Sequence, residues 1–373
     1  MQPETRALLI LVRAHPPADR ARALLERLGS AAAVLEAGPR TWADAGLPGR
    51  CGDLLSCPDA AHLQRDMAWV DGGRRRVIGW HEADYPALLR AIPDSPPALF
   101  VEGDPASLWH PHVAVVGSRR ASPGGLDNAR MFAGEFVRAG LGVASGLAAG
   151  VDTAAHRGAL DAGGPTVAVV GCGLDIVYPP GNAGLAARIV ATGAIVGEYP
   201  PGTPPLTAHF PARNRLIAGL ALGTLVVEAA ERSGALITAR LAVDAGREVF
   251  ALPGSIHNPQ ARGCHRLIRQ GVALVESPAE VVATLGPVAA SLGEALRARL
   301  EPSRSLGPAG EKVAIGVDPA LKSVLDALGY DPVNLDQLVG RTGLTVADLA
   351  PMLLAMELDG RVIAENGRYV RRT

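Results

Sequence analysis

Apolar residues along the chain follow two rhythms. Between about residues 76 and 286, short apolar runs alternate with longer stretches at helical spacing. Val113–Gly117, Gly142–Ser145, Thr166–Gly171, Ala194–Glu198, Thr224–Glu228 and Glu248–Leu252 read as strands buried on both faces. Leu126–Ala139, Thr153–Ala162, Phe210–Leu222 and Leu236–Ala245 read as the helices between them. Buried strands alternating with helices predict an α/β domain over residues 76–286: a Rossmann-like, doubly wound, mostly parallel sheet covered on both sides.

The ends of the chain differ from this middle. Residues 1–75 read as a small helical (SAM-like) domain, from the apolar run Ala7–Val12 and the stretches Ala21–Leu28, Ser30–Glu36 and Cys57–Val70, with Gly29 as a helix stop. Such modules pack or dock more often than they bind DNA. Residues 287–318 lose the rhythm, and Pro302, Gly307, Pro308 and Gly310 suggest a linker. Within residues 319–373, Ala320–Leu328, Leu335–Val339 and Val346–Leu358 read as three helices, and Val362–Val370 as a hairpin turning on Asn366-Gly367 in a type I′ turn. Three helices and a hairpin describe a winged helix.

Composition narrows the functional classes. With 373 residues, 48% of them hydrophobic, the chain has material for two or three cores. A net charge of −1 excludes a bulk polycation, so any nucleic-acid site is a local patch. Lysine occurs only at Lys312 and Lys322, and the other basic residues are arginine. A bias that general makes the placement of arginine informative and its abundance uninformative. Cys51, Cys57, Cys172 and Cys264 lack zinc-type spacing, so no metal site is expected, and scattered thiols fit a reducing compartment. The sequence shows no signal-peptide pattern and no apolar run near the ~20 residues of a membrane span, so a cytoplasmic location is expected.

Candidate chemistry collects at strand ends, where open α/β sheets place ligands. Gly117-Ser118-Arg119 ends an apolar strand. The glycine lets backbone amides approach a phosphate, Ser118 adds a hydrogen bond and Arg119 adds charge-assisted ones. An ordinary turn with a solvated arginine fits the local sequence equally well. Gly146 and Gly150 follow the next strand as residues that open a pocket, with Asp152 as a helix N-cap. Gly171-Cys-Gly173 invites a dinucleotide reading, but position 176 is Ile where a third glycine is needed, so no cofactor is expected.

The segment starting at His209 (His-Phe-Pro-Ala-Arg-Asn-Arg-Leu-Ile-Ala-Gly-Leu) is the most informative. Pro211 suits a first helical turn. Phe210, Arg213 and Ile217 share one face, so a ring and a guanidinium can meet the same nucleotide, with Asn214 and Arg215 beside them. The alternative is a core phenylalanine with solvated arginines. Glu228, Ser233 and Thr238 could suggest catalysis, but no histidine lies near in sequence and Ser233 reads as a helix cap. Arg262, Arg266 and Arg269 share a helical face, which is solvated by default and could extend a basic pocket. The candidate recognition helix after Thr345 offers no basic or amide side chain, and Thr345 with Asp348 resembles a capping box. An interaction module fits better than a sequence reader, although Arg368, Arg371 and Arg372 could touch phosphates.

In order, Asp84-Tyr-Pro-Ala-Leu-Leu, Pro97-Ala-Leu-Phe-Val-Glu-Gly-Asp104, Val113–Arg119, Ser145–Asp152, the His209 segment, Glu228–Ala239 and Phe250-Ala-Leu-Pro-Gly254 resemble the DNA-processing protein A (DprA/Smf) family. The likeness is dense over roughly residues 80–280 and looser over the last fifty or so. Ala235 stands where the family usually shows a second serine. The resemblance implies a single-stranded-DNA-binding protein of natural transformation that protects incoming strands and loads RecA recombinase onto them. It further implies a homodimer, weaker duplex binding and no catalysis. Gly117, Ser118, Arg119, Gly146, Phe210, Arg213, Asn214, Arg215, Arg262 and Arg266 are its expected DNA contacts. One alternative is a nucleotide-processing enzyme, a nucleoside monophosphate hydrolase. Related folds of that activity use a Pro-Gly-Gly-x-Gly-Thr loop, and here Pro253-Gly254 is followed by Ser255. Another is a ligand-sensing winged-helix regulator, which would show a basic recognition helix.

Overall fold

The computed structural model describes residues 3–300 and, beyond them, 324, 327–328, 333–345, 349, 352–353, 356, 362–365 and 368–371. The chain divides into two compact units, Met1–Ser303 and Arg304–Thr373.

The first unit starts with six helices: α1 (Pro3–Arg13), α2 (Ala18–Leu28), α3 (Ala31–Glu36), α4 (Gly38–Asp44), α5 (Gly49–Ser56) and α6 (Ala60–Val70). Gly29 ends α2 at φ 81°, its N–H donating to the Leu25 carbonyl. Ser30 caps α3 and Asp59 caps α6 through side-chain oxygens. The sequence rhythm shows neither α4 nor α5, since both are short and start at glycine. Ala7 to Val12 of α1 are all buried, so this helix is wrapped rather than amphipathic. Arg13 closes the packing: it donates to both oxygens of the buried Asp66 on α6 at 2.8 and 2.6 Å and to the Pro201 carbonyl at 2.7 Å.

The centre is a nine-stranded sheet in the order β1-β2-β6-β5-β4-β3-β7-β8-β9. Its strands are β1 (Arg75–Gly79), β2 (Ala98–Gly103), β3 (His112–Val116), β4 (Gly142–Ser145), β5 (Thr166–Val169), β6 (Ala194–Gly197), β7 (Gly223–Val226), β8 (Glu248–Ala251) and β9 (Ala273–Leu274). β1 and β2 run antiparallel, and the seven strands from β6 to β9 are parallel. The expected six strands and the mostly parallel character are therefore observed. Along β3, Val113 and Val115 join one apolar cluster while Ala114 and Val116 join the opposite one, the two-residue period of a strand covered on both faces.

The helices that cover it are α7 (Ala87–Arg90), α8 (Pro123–Arg138), α9 (Val151–Asp161), α10 (Ala183–Thr192), α11 (His209–Leu220), α12 (Gly234–Asp244), α13 (Arg262–Arg269) and α14 (Pro278–Leu300). Residues of α7, α11, α12 and α13 pack on one face, and those of α8, α9 and α14 on the other. A third cluster joins α1–α6 to Phe100, Ala168 and Ile195 of the sheet, to Val170 just past β5, and to α10. Strand order reverses between β3 and β7, and such a switch point opens a crevice at the strands' carboxyl ends. α14 runs on through Pro287 to Leu300, so the first part of the expected linker is helical.

In the second unit, the expected helix Leu335–Val339 lies inside an observed helix, Leu335–Thr342. The hairpin pairs Val362–Glu365 with Arg368–Arg371, Glu365 facing Arg368, and Val333–Asn334 adds a third strand. Val324, Leu328, Leu338, Leu349, Leu353 and Met356 share its core. The Asn366-Gly367 turn, Asp348, Arg372, the side chains of Arg368 and Arg371, residues 301–318 and the full extents of the helices expected over 320–328 and 346–358 lie outside the described residues. Among the described residues, no helix is long and apolar enough to cross a membrane and no cluster of ligands could hold a metal ion.

Two buried histidines should make the fold acid-sensitive. His112 opens β3 against Gly142, whose missing Cβ leaves space for the imidazole, and His156 on α9 shares a 2.7 Å hydrogen bond with Thr166 Oγ1. Burial pushes both down to about 3. Unfolded, each titrates near ~6.5, so the unfolded chain binds protons first as pH falls. Their stabilising contribution is full above pH ~6.5 and declines toward pH ~3, by up to about 1.4 kcal/mol per pH unit for each histidine. Urea midpoints should drop steeply between pH 6.5 and 4, and the slope should flatten in His112→Leu and His156→Leu. Parallel pH profiles for wild type and variants would count against this account.

Candidate functional site

A cleft of about 490 Å³ opens at the switch point between β3 and β7. Its wall begins with the turn after β3. A Cβ on Gly117 would lie 2.6 Å from Val151 and 2.8 Å from the Glu228 carbonyl, so only glycine fits there. The Ser118 N–H donates to that carbonyl at 2.7 Å, joining the ends of β3 and β7. The Ser118 carbonyl accepts from Val151 N, and its Oγ accepts from Arg120 N at 3.0 Å, which leaves the hydroxyl proton unused within the turn. Arg119 then projects outward. It is exposed, forms no ion pair among the described residues, and holds its guanidinium carbon 5.4 Å from the Phe210 ring centre.

The floor is Arg213. Its side chain is buried, Nη1 donates to the Gly146 carbonyl at 2.6 Å and to the Val169 carbonyl, and Nε donates to Asn214 Oδ1 at 3.1 Å. Those two carbonyls belong to the chain just past β4 and to the end of β5, so one guanidinium ties neighbouring strand ends together. A Cβ on Gly146 would fall 2.3 Å from Nη2. Burial pulls the Arg213 pKa down, and the negative charge of Asp152 opposes the shift. Arg213 and Phe210 both line the cleft as the shared helical face requires, but the cation over Phe210 is Arg119.

Asp152 corrects an expectation. The N-cap of α9 is Gly150, at φ 82°, and Asp152 is the second residue of the helix. Its buried carboxylate accepts from Gly146 N at 3.1 Å and Ala148 N at 3.3 Å, shaping the loop over Arg213. Burial pushes its pKa up, opposed first by Arg213. Ser233 is a helix cap as expected, accepting from Ala235 N at 3.2 Å. Glu228 is bound rather than free: it accepts from Ser122 N, Ser122 Oγ and Asn258 Nδ2 at 2.6–2.9 Å.

Of the expected contact residues, Gly117, Ser118, Arg119, Phe210, Arg213 and Asn214 line the cleft, and Gly146 lies beneath it against Arg213. Arg215 does not reach it. Its guanidinium grips both Glu198 oxygens at 2.6 Å and the Asp94 carbonyl at 2.8 Å. Arg262 is exposed on α13 outside the cleft, and Arg266 lines a second cleft of about 720 Å³ on the outer side of α12. Sequence reasoning missed Tyr178, Thr207 and Gln260 as lining residues, and raised Thr238, which also lines the cleft, only as a candidate for catalysis. Only Tyr178 carries a signal, a large ring in a Pro/Gly-rich loop that offers no helix or strand to bury it.

Residues 76–286 match the model of the family described as DNA recombination-mediator protein A, and residues 308–368 that of the DprA winged helix domain. The chain is 40% identical over 320 residues to "Protein Smf" of Escherichia coli (strain K12), covering 85% of this chain and 83% of the relative. It is 48% identical over 244 residues to "DNA processing protein DprA" of Streptococcus pneumoniae, covering 64% and 86%. The solved structure of DNA processing protein A from Streptococcus pneumoniae superposes with a TM-score of 0.66 at 36% identity, covering 76% of this chain and 99% of that one. That from Helicobacter pylori, described for its single-stranded DNA binding mode, gives a TM-score of 0.52 at 29% identity, covering 57% of this chain and 95% of that one.

Arg213→Ala should destabilise the protein by at least about 2 kcal/mol, because it strands buried carbonyls and leaves Asp152 without its cation. Gly146→Ala should cost about 1–3 kcal/mol by displacing the same guanidinium. Because both act on one contact, the double variant should lose less than the summed single losses, measured by urea unfolding. Strict additivity would show that the two positions are independent.

Proposed function

Since this chain belongs to the DNA recombination-mediator protein A family, we propose that its switch-point cleft holds single-stranded DNA. The protein protects incoming strands in natural transformation and helps load RecA recombinase onto them, acting as a homodimer. The observation that carries this reading is Arg119 poised over Phe210 in the cleft: an exposed cation with no ion pair among the described residues, for a phosphate, beside a ring for a base. The Ser118 hydroxyl can donate a further bond to the same phosphate. None of these groups reads a base edge, so binding is sequence-tolerant. The single-stranded DNA named for the Helicobacter pylori structure supports the same ligand here.

A binding role also agrees with the fixed polar groups. Glu228, the carboxylate nearest a hydrolytic role in sequence, has both oxygens engaged in cross-links. Arg213 serves the cleft by shaping its floor and supplying positive potential from beneath. Arg215, Arg262 and Arg266 lie outside this contact set. The winged helix serves as an interaction module.

Arg119→Ala should weaken binding to oligothymidylate without changing the melting temperature. It should also flatten the log-affinity against log-salt slope by ~0.7, one phosphate contact on a single strand. Unchanged affinity and slope in the folded variant would remove Arg119 from the interface. RecA loading is tested by RecA assembly on strands coated with single-stranded-DNA-binding protein. Wild type should accelerate it and Arg119→Ala should not, whereas no acceleration by wild type would refute the loading role.

A further inference from the structure

Tyr178 has an unusual setting for so large a ring. The residue is 42% exposed, it lines the cleft, and its ring centre lies 5.4 Å from that of Phe210 with the planes inclined by 39°. Arg119 stands at the same distance on Phe210. Guanidinium, phenylalanine and tyrosine thus share one wall of the cleft lining, with the Phe210 ring in contact with both of the others.

The loop that presents Tyr178 is anchored on both sides. Before it, Ile176 N donates to the Gly173 carbonyl, and Cys172, set in the cluster beneath the N-terminal helices, donates to the Ile176 carbonyl. After it, the buried Asn182 donates to the Leu147 carbonyl and to Thr153 Oγ1, both at 2.9 Å. A fixed backbone that holds a ring toward solvent loses little side-chain entropy when a base lies on it.

Resting on the single-strand reading above, we propose that Tyr178 is the second base platform of the cleft, and that its inclination to Phe210 selects flexible single strands over duplex. Consecutive bases of a duplex stay parallel at about 3.4 Å spacing along each strand. Two rings inclined by 39° cannot both lie flat on such a stack. A single strand turns about its backbone between the two bases and satisfies both rings. A duplex must unstack first. Tyr178 adds a stacking surface without adding charge.

The test uses full-length protein and oligothymidylate carrying one 2-aminopurine at successive positions. Tyr178→Ala should weaken single-strand binding by about 5- to 150-fold, the range for one lost base–aromatic stack, and keep the salt slope. It should narrow the ratio of single-strand to duplex affinity and abolish fluorescence quenching at one 2-aminopurine position. Tyr178→Phe, which keeps the ring face, should recover binding and quenching. Tyr178→Leu covers the case in which alanine unsettles Phe210: leucine still shields that ring but offers no aromatic face, and normal affinity in this variant overturns the proposal. An equal loss for duplex and single strand overturns the selectivity. If Phe210→Ala weakens binding and the Tyr178 variants do not, Tyr178 alone is excluded. If neither position matters, the single-strand reading of the cleft is what fails.

Discussion

One buried cation sets the geometry on which the cleft depends. A guanidinium without water is tolerable only when its donors are met by acceptors and its charge is opposed. Arg213 meets both conditions with the Gly146 and Val169 carbonyls, Asn214 and the field of Asp152. Because the partners lie past β4 and at the end of β5, the contact fixes where α11 crosses the sheet. Phe210 sits one turn earlier on that helix, so its ring is placed by the same contact.

The arginines divide into fixed and free. Arg13 is committed to Asp66 and Pro201, and Arg215 to Glu198 and Asp94, each in a geometry that leaves little for a ligand. Among the described residues, neither an acid nor a carbonyl holds Arg119, and its guanidinium lies over the Phe210 ring. A chain of net charge −1 can therefore still present positive potential at one mouth. The floor arginine strengthens that potential without being removable by the ligand.

Much of this was legible beforehand. Buried strands announce themselves as short apolar runs, and the six middle strands and four long helices fall within a few residues of where hydrophobic rhythm puts them. Gly29 and Ser233 act as the stop and the cap their types suggest. Failures came where one pattern serves two environments. Spacing puts Phe210 and Arg213 on one helical face but does not reveal that this face meets the carboxyl ends of β4 and β5, where the arginine is swallowed and the ring is not. Arg215, two residues further on, turns to Glu198, a partner that only the fold supplies. Asp152 looks like a cap because aspartate is a favoured N-cap residue, yet Gly150 takes that position with a backbone angle that side chains disfavour. Tyr178 belongs to a loop, and loops carry no periodicity to read.

The cluster beneath the N-terminal helices has a consequence for how the chain is made. Its members run from Ala7 through Trp69 to Phe100, then on to Ala168, Ile189 and Ile195. β2, which belongs to the same sheet, finds its inner neighbour only when Ala194–Gly197 has emerged. A ribosome adding ~5–20 residues per second therefore leaves the inner face of those helices open, on the order of ten seconds, while the next hundred or so residues appear. Arg13 and Asp66 can meet early, but the Pro201 carbonyl arrives last and closes the arrangement. For that interval the nascent protein displays a sticky apolar surface, and its yield in a cell depends on what shields it until then.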